Sequence, residues 1–254
     1  MPDRVNRNQR IPVDGGLPAA GRWQGSRPFG GLFRLPWQAH CLACGEASPI
    51  LQDLCGACHA VLPRIERACP RCALPLASTA DCCAACLRSP PPLCRVVAAF
   101  AYADPLDRWL PRFKFHGDLA AGRLLSQLMW EACSRAPRPD ALVPVPLHRT
   151  RLRSRGYDQA LELARPLART LALPLRTDLL RRRRNTTAQS SLQAADRLSN
   201  LAGAFAATGA GATPLHVALV DDVMTTGATL HAAAGALRRA GAARVDAWIC
   251  ARAT

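Results

Sequence analysis

The sequence predicts an α/β fold, a parallel sheet flanked by helices, with a small cysteine-rich unit ahead of it. Three observations lead there. Apolar, strand-like runs alternate with stretches of helical periodicity from about residue 95 onward, four CxxC pairs crowd into residues 41–86, and two loops rich in charged and hydroxyl residues follow apolar runs at 141–147 and 215–220.

Residues 1–36 are basic and rich in proline, glycine and arginine, with no continuous apolar stretch. They read as a disordered leader and not as a cleaved signal peptide, which favours a cytoplasmic location. No run in the chain reaches the roughly 18 apolar residues of a membrane span. With 254 residues, 49% of them apolar, the chain can bury a substantial core.

Residues 37–90 carry the cysteine unit. Cys41, Cys44, Cys55 and Cys58 read C-x2-C-x10-C-x2-C, and Cys69, Cys72, Cys83 and Cys86 repeat that spacing 28 residues later. A CxxC turn lets two thiolates face one ion, and two turns complete the tetrahedral sulfur shell of a structural zinc. Two zinc ions fit the inventory, as a double zinc ribbon. A disulfide framework fits poorly with an intracellular chain, and an iron–sulfur cluster less well with the regular knuckle spacing. Whether each half binds its own ion or the pairs interleave is open. Cys82 could substitute for Cys83, whereas Cys94, Cys133 and Cys250 are expected to be buried small apolar residues.

After the prolines of SPPPLCRVV, residues 95–254 form the α/β part. VVAAFAY is a strand; FKFHGDLAAGRLLSQLMWEACSR holds a helix, with Ala121, Leu124, Leu125, Leu128, Met129 and Ala132 at helical spacing. ALVPVPL is a strand, and YDQALELARPLARTLA a helix in which Pro166 should introduce a kink. PLRTDLL is a short strand, an arginine-rich connection and AFAAT follow, and LHVALV, TLHAAAGALRRAG and RVDAWIC are strand, helix and strand. Such alternation implies crossover connections and a parallel sheet.

In open parallel sheets ligands bind beyond the carboxyl ends of the strands. Two loops stand there, HRTRLRSRGYD and DDVMTTGAT. In TTGAT the glycine permits a tight turn, and the helix that follows points its first amides at the same place. With hydroxyls from Thr225, Thr226 and Thr229, that makes a phosphate cradle. Asp221 and Asp222 would repel a phosphate, so they should face hydroxyl donors or a divalent cation. A ribose 5-phosphate meets both demands, although helix capping could account for any single one of these residues.

The net charge of +15 comes from 32 Arg and one Lys, Lys114, set against 18 acids. Residues 149–184 hold eleven Arg against three acids, a local +8 suited to phosphate-bearing partners.

VALVDDVMTTGATL, residues 217–230, resembles the phosphoribosyl diphosphate (PRPP) signature of the type I phosphoribosyltransferases. Together with the cysteine unit, FKFHGD, VPVPLHRTRLRSRGYDQA and RRRRNTTAQSSLQAADRLSNLAGAF, the chain resembles the ComF/GntX branch of competence-associated proteins over about residues 38–252. The resemblance implies that Asp221 and Asp222 hold the ribose hydroxyls. It implies that Thr225, Thr226, Gly227, Ala228 and Thr229 hold the 5-phosphate, with Mg2+ accompanying PRPP. His148, Arg149 and Arg153 would lie at the pyrophosphate, Gln189 and Arg197 in a lid loop over 182–199, and Lys114 at the site. Asp221, Asp222 and Lys114 are the candidate catalytic residues.

Two functions follow. One is that of a phosphoribosyltransferase-like protein that binds PRPP or a related ribose 5-phosphate and is associated with competence and DNA uptake, its reaction being pentosyl transfer to an acceptor that no segment identifies. The other is a non-catalytic accessory role in natural transformation and DNA uptake, binding single-stranded DNA or nucleotides beside a helicase-like partner.

Overall fold

The computed structural model describes residues 40–48, 53–76, 80–185, 203–208 and 215–253. The leader, and the expected lid residues Gln189 and Arg197, lie outside the described residues. In chain order the elements are α1 (Gly56–Ala60), α2 (Ala84–Arg88), β1 (Arg95–Ala101), α3 (Leu106–Phe115), α4 (Leu119–Cys133), β2 (Ala141–Pro144), α5 (Arg149–Arg155) and α6 (Gln159–Thr170). Then come β3 (Leu180–Arg182), β4 (Phe205–Ala207), β5 (His216–Met224), α7 (Ala228–Arg239) and β6 (Arg244–Arg252).

β1, β6, β5 and β2 form, in that order, a four-stranded sheet in which every pairing is parallel; β3 and β4 form a separate antiparallel pair. The parallel sheet expected from the alternating pattern is therefore present. Both of its faces are covered, which is why its strands read as unbroken apolar runs. On one face Trp248, Cys250, Leu142, Ala218 and Val220 pack with Phe113 of α3, Leu125 of α4 and Leu163 of α6. On the other, Val143, Val217, Leu219, Val245 and Ile249 pack with Leu230 and Leu237 of α7 and with Leu180 and Phe205 of β3 and β4.

α3 and α4 approach closely at Gly122, where an added Cβ would come within 2.4 Å of the Phe113 ring. Asp118 caps α4 by accepting the Ala121 amide at 2.9 Å, and α6 keeps Pro166 inside its span.

The cysteine unit protects the sheet's β1 edge. The Val96 amide donates to the Pro70 carbonyl at 2.7 Å, the Ala101 amide to the Pro63 carbonyl at 2.9 Å, and Arg64 bridges Phe100. Edge strands with unpaired amides invite aggregation, and here the preceding chain fills that role. At the β2 edge the Leu142 amide reaches the Pro174 carbonyl, and Leu142 bridges Leu175 in parallel fashion.

Several expectations are corrected. HRTRLRSRGYD contains the helix α5, because His148 caps it and Gly156, at φ 85°, ends it in the left-handed region that glycine tolerates. PLRTDLL gives only the bridge at Leu175, and the strand begins at Leu180. The strand expected to end at residue 220 does not stop there; β5 runs through both acids to Met224, held by β6 alongside. Cys94 is exposed, whereas Cys133 and Cys250 are buried as expected. Among the described residues no helix is long and apolar enough to cross a membrane.

Candidate functional site

β2 and β5 are neighbours and parallel, so α5 and the loop before α7 emerge together at the carboxyl edge of the sheet. Asp221 and Asp222 stand at that edge. Successive strand residues face opposite ways. Ala218 and Val220 pack on the α3/α4/α6 side and Val217 and Leu219 on the α7 side, so Asp222 continues the first row and Asp221 the second.

Asp222 is 5% exposed. Its two carboxylate oxygens take the Lys114 ammonium at 3.0 and 2.8 Å, and Oδ1 also accepts the Val223 amide at 2.7 Å. Lys114 is thus on α3, with its ammonium turned toward the sheet end. Asp221 is partly buried and accepts the Asp222 amide at 2.9 Å. Burial, and then the adjacent charge of Asp222, push the Asp221 carboxyl up to about 7, with Lys114 opposing and Asp158 adding to the rise. The two acids are therefore not equivalent: one is locked in an ion pair, the other is poised to gain or lose a proton near neutrality.

Asp158 anchors the basic element. It accepts the Leu147 amide at 2.9 Å on Oδ2 and caps α6 through the Leu161 amide at 3.2 Å on Oδ1, which pins both ends of the segment holding α5. Burial raises its pKa while those amides oppose the rise. The Arg155 guanidinium lies 5.2 Å over the Phe115 ring and bonds Gln159, and Phe113 sits 5.7 Å from the Tyr157 ring. These contacts join α3, which carries Lys114, to α5. Arg149 and Arg153 are exposed; His148 accepts the Thr150 amide as the α5 cap.

The threonine loop makes the tight glycine turn into a helix that its sequence predicts. Gly227 is the cap of α7 at φ 80°, a conformation that strains any other residue, and a Cβ there would also have to displace Met224 Cε, 2.4 Å away. Thr225 and Thr226 are exposed, and Thr226 Oγ1 lies 3.4 Å from the Ala228 amide. The first amides of a helix have no carbonyl partner within it and carry its positive end, which suits an anion.

The cysteines gather as two groups, Cys41/Cys44/Cys55/Cys58 and Cys69/Cys72/Cys83/Cys86, each with its four sulfurs within 4.8 Å of one another. A tetrahedral zinc with Zn–S of about 2.3 Å needs sulfurs about 3.8 Å apart. Cys44 and Cys55 stand 3.9 Å apart and Cys72 and Cys83 3.6 Å, so both groups could hold a zinc ion and each half has its own set. Burial opposes ionisation of Cys41 and Cys69, yet the backbone amides around them prevail and bring both to about 6, the thiolate form a metal requires. Cys82 Sγ lies 3.4 Å from Cys69 Sγ.

Sequence reasoning passed over Asp158 as an anchor, Arg155 and Phe115 as a stacked pair, and Arg252. Only the capping pattern of Asp158, ahead of a helical run, could have been read from the sequence.

A four-stranded parallel sheet flanked by helices, with a cysteine unit ahead of it, fits the α/β fold of the type I phosphoribosyltransferases, and a family model for the phosphoribosyl transferase domain matches residues 158–253. The chain is 37% identical over 179 residues to Competence protein F of Haemophilus influenzae, covering 67% of this chain and 78% of that protein. It is 34% identical over 221 residues to DNA utilization protein YhgH of Escherichia coli K12, covering 84% and 89%. It is 34% identical over 149 residues to Competence protein ComFC of Bacillus subtilis, covering 58% and 59%. The chain belongs to the ComF family.

Asp221 yields a pH prediction. In the unfolded chain its carboxyl loses a proton near 3.9, in the folded protein only near 7. Between those values unfolding releases a proton, so this group's contribution to stability falls as pH rises. Asp221→Asn removes the effect. Its melting temperature relative to the wild type should therefore be higher at pH 8 than at pH 5, measured by thermal denaturation; an equal difference at both would contradict the raised pKa.

Proposed function

We propose that this protein binds PRPP or a related ribose 5-phosphate at the carboxyl edge of β5 and serves DNA uptake in natural transformation. The observation that carries the reading is the juxtaposition of an acidic strand end, Asp221 and Asp222, with the glycine-capped start of α7. In this reading the amides of α7 and the hydroxyls of Thr225, Thr226 and Thr229 take the 5-phosphate. Asp221, in its deprotonated form, accepts ribose hydroxyls, and Asp222 does so while Lys114 holds it in place. His148, Arg149 and Arg153 supply donors to pyrophosphate, and Mg2+, bound with PRPP, neutralises charge there. The two cysteine groups hold structural zinc, since four thiolates leave no open position for substrate.

The names of the relatives, competence and DNA utilization proteins, supply the cellular context. If the protein is a phosphoribosyltransferase, its chemistry is pentosyl transfer by positioning and charge stabilisation.

Calorimetric titration with Mg-PRPP tests the ligand. Saturable binding that is lost in Asp221→Asn/Asp222→Asn is expected; no heat from the wild type would sink the reading.

A second reading, a nucleic-acid accessory role at the same edge, is favoured by one observation. Phe115 is 66% exposed and stacked under Arg155 beside the basic α5, which offers both a base-stacking face and phosphate donors. Single-stranded DNA affinity should then fall steeply with salt and weaken in Phe115→Ala. A flat salt dependence would remove this reading.

A further inference from the structure

The two cysteine groups repeat each other in sequence but not in what they touch. Residues flanking the first group pair with α4: Asp53 takes the Arg123 guanidinium, and His59 and Arg64 pair with Glu131 at 2.7 and 3.0 Å. The second group is the more deeply buried, with Cys69, Cys83 and Cys86 all enclosed. Cys72 packs against the same apolar cluster as Met224, Ala228 and Leu230, the residues on either side of the phosphate-type loop.

One side chain joins the two places directly. Arg252, at the end of β6 and 9% exposed, donates Nε–H to the Cys72 carbonyl at 2.8 Å and Nη1–H to the Met224 carbonyl at 3.1 Å. Nη1 also reaches the Ala253 carbonyl. Met224 immediately precedes Thr225, and its carbonyl takes a second donor, the Ala253 amide, at 2.9 Å. Among the described residues no carboxylate lies within ion-pair distance of Arg252. The guanidinium thus lies against the strand end that leads into the loop. Burial and then Arg252 depress the pKa of His231, whose buried Nε2 has no hydrogen-bond partner among the described residues.

We propose that Arg252 is a positioning residue through which metal loading of the Cys69/Cys72/Cys83/Cys86 site orders the loop Thr225–Thr229. A metal fixes the knuckle that carries the Cys72 carbonyl. That carbonyl holds the guanidinium in register, and the guanidinium holds the Met224 carbonyl, so the turn into Gly227 starts from a fixed point. Without the metal the knuckle loosens, Arg252 loses one of its anchors, and the loop samples conformations unable to grip an anion. Arg123, which ties the first group to α4, takes no part. The proposal rests on the reading of this loop as the phosphate grip, but its mechanical half stands apart from that reading.

The experiment uses the full chain, shown by metal analysis to hold two zinc ions, and follows amide hydrogen exchange at residues 225–229 and binding of ribose 5-phosphate before and after chelation. In the wild type, chelation should speed exchange in the loop and weaken ribose 5-phosphate binding, each by about 10-fold, a usual size for coupling between two sites. Arg252→Gln should exchange fast with zinc still bound, and chelation should then add less than about 2-fold. Arg252→Lys should behave the same way, since one ammonium cannot span both carbonyls. Arg123→Ala should keep wild-type loop protection.

Unchanged protection in both Arg252 variants, or chelation acting equally on variant and wild type, would overturn the proposal. If neither variant folds, the chelated wild type decides: a loop as protected without metal as with it overturns the coupling. Exchange behaving as expected while the zinc-loaded wild type fails to bind ribose 5-phosphate would leave the coupling standing and refute the ligand.

Discussion

A buried carboxylate needs a cation or hydrogen-bond donors, and at the carboxyl end of β5 Asp222 finds its cation in Lys114, the sole lysine of the sequence, 2.8 Å away. Much of the site's architecture follows from this pair. To deliver the ammonium, α3 must lie across the sheet end. It can lie there because Phe113 sinks into a place that Gly122 leaves open. The same placement brings Phe115 under Arg155, so α5 is held beside α3 while Asp158 ties the segment's ends. Removing one member of such a pair leaves a buried charge uncompensated, at a cost of about 3 kcal/mol or more. The pair is therefore better understood as a device that fixes geometry than as a source of net stability.

With Asp222 so engaged, Asp221 is left as the group whose charge changes near neutrality. Two adjacent acids on a strand point to opposite faces, so each has its own surroundings and need not share one proton-binding behaviour. A sugar lying across the sheet edge can be reached from both faces. In the proposed reading the phosphate takes the amides at the start of α7, set away from the carboxylates by the turn at Gly227.

The parallel sheet, the threonine loop and the cysteine groups were legible in the sequence, because each depends on local pattern: apolar runs, a glycine at a turn, a ligand spacing. What sequence missed depends mostly on contacts made far along the chain, with α5 the local exception. α5 looked like a loop because its seven residues include four arginines and no buried face; only the cap at His148 and the stop at Gly156 define it. β5 seemed to end at its last apolar residue, yet its backbone pairs with β6 through Met224. Lys114 and Asp222 are separated by 108 residues, and Arg252 and Cys72 by 180, and nothing local announces either contact. Cys94 was expected to be buried from the general habit of cysteine, but it precedes an edge strand and faces solvent.

The cysteine groups also explain how a four-stranded sheet tolerates an outer strand. Backbone bonds from Val96 and Ala101 to the knuckle region give β1 a partner that is not a strand. Ordered sulfurs and a metal would make that partner rigid at small cost in apolar area. The central claim is that the end of β5 and the start of α7 grip a ribose 5-phosphate. A crystal structure of the protein with ribose 5-phosphate tests it most directly. The phosphate should sit on the amides of residues 226–229, with the sugar hydroxyls within hydrogen-bond distance of Asp221 and Asp222. A sugar phosphate bound elsewhere, with this edge empty, would contradict the account.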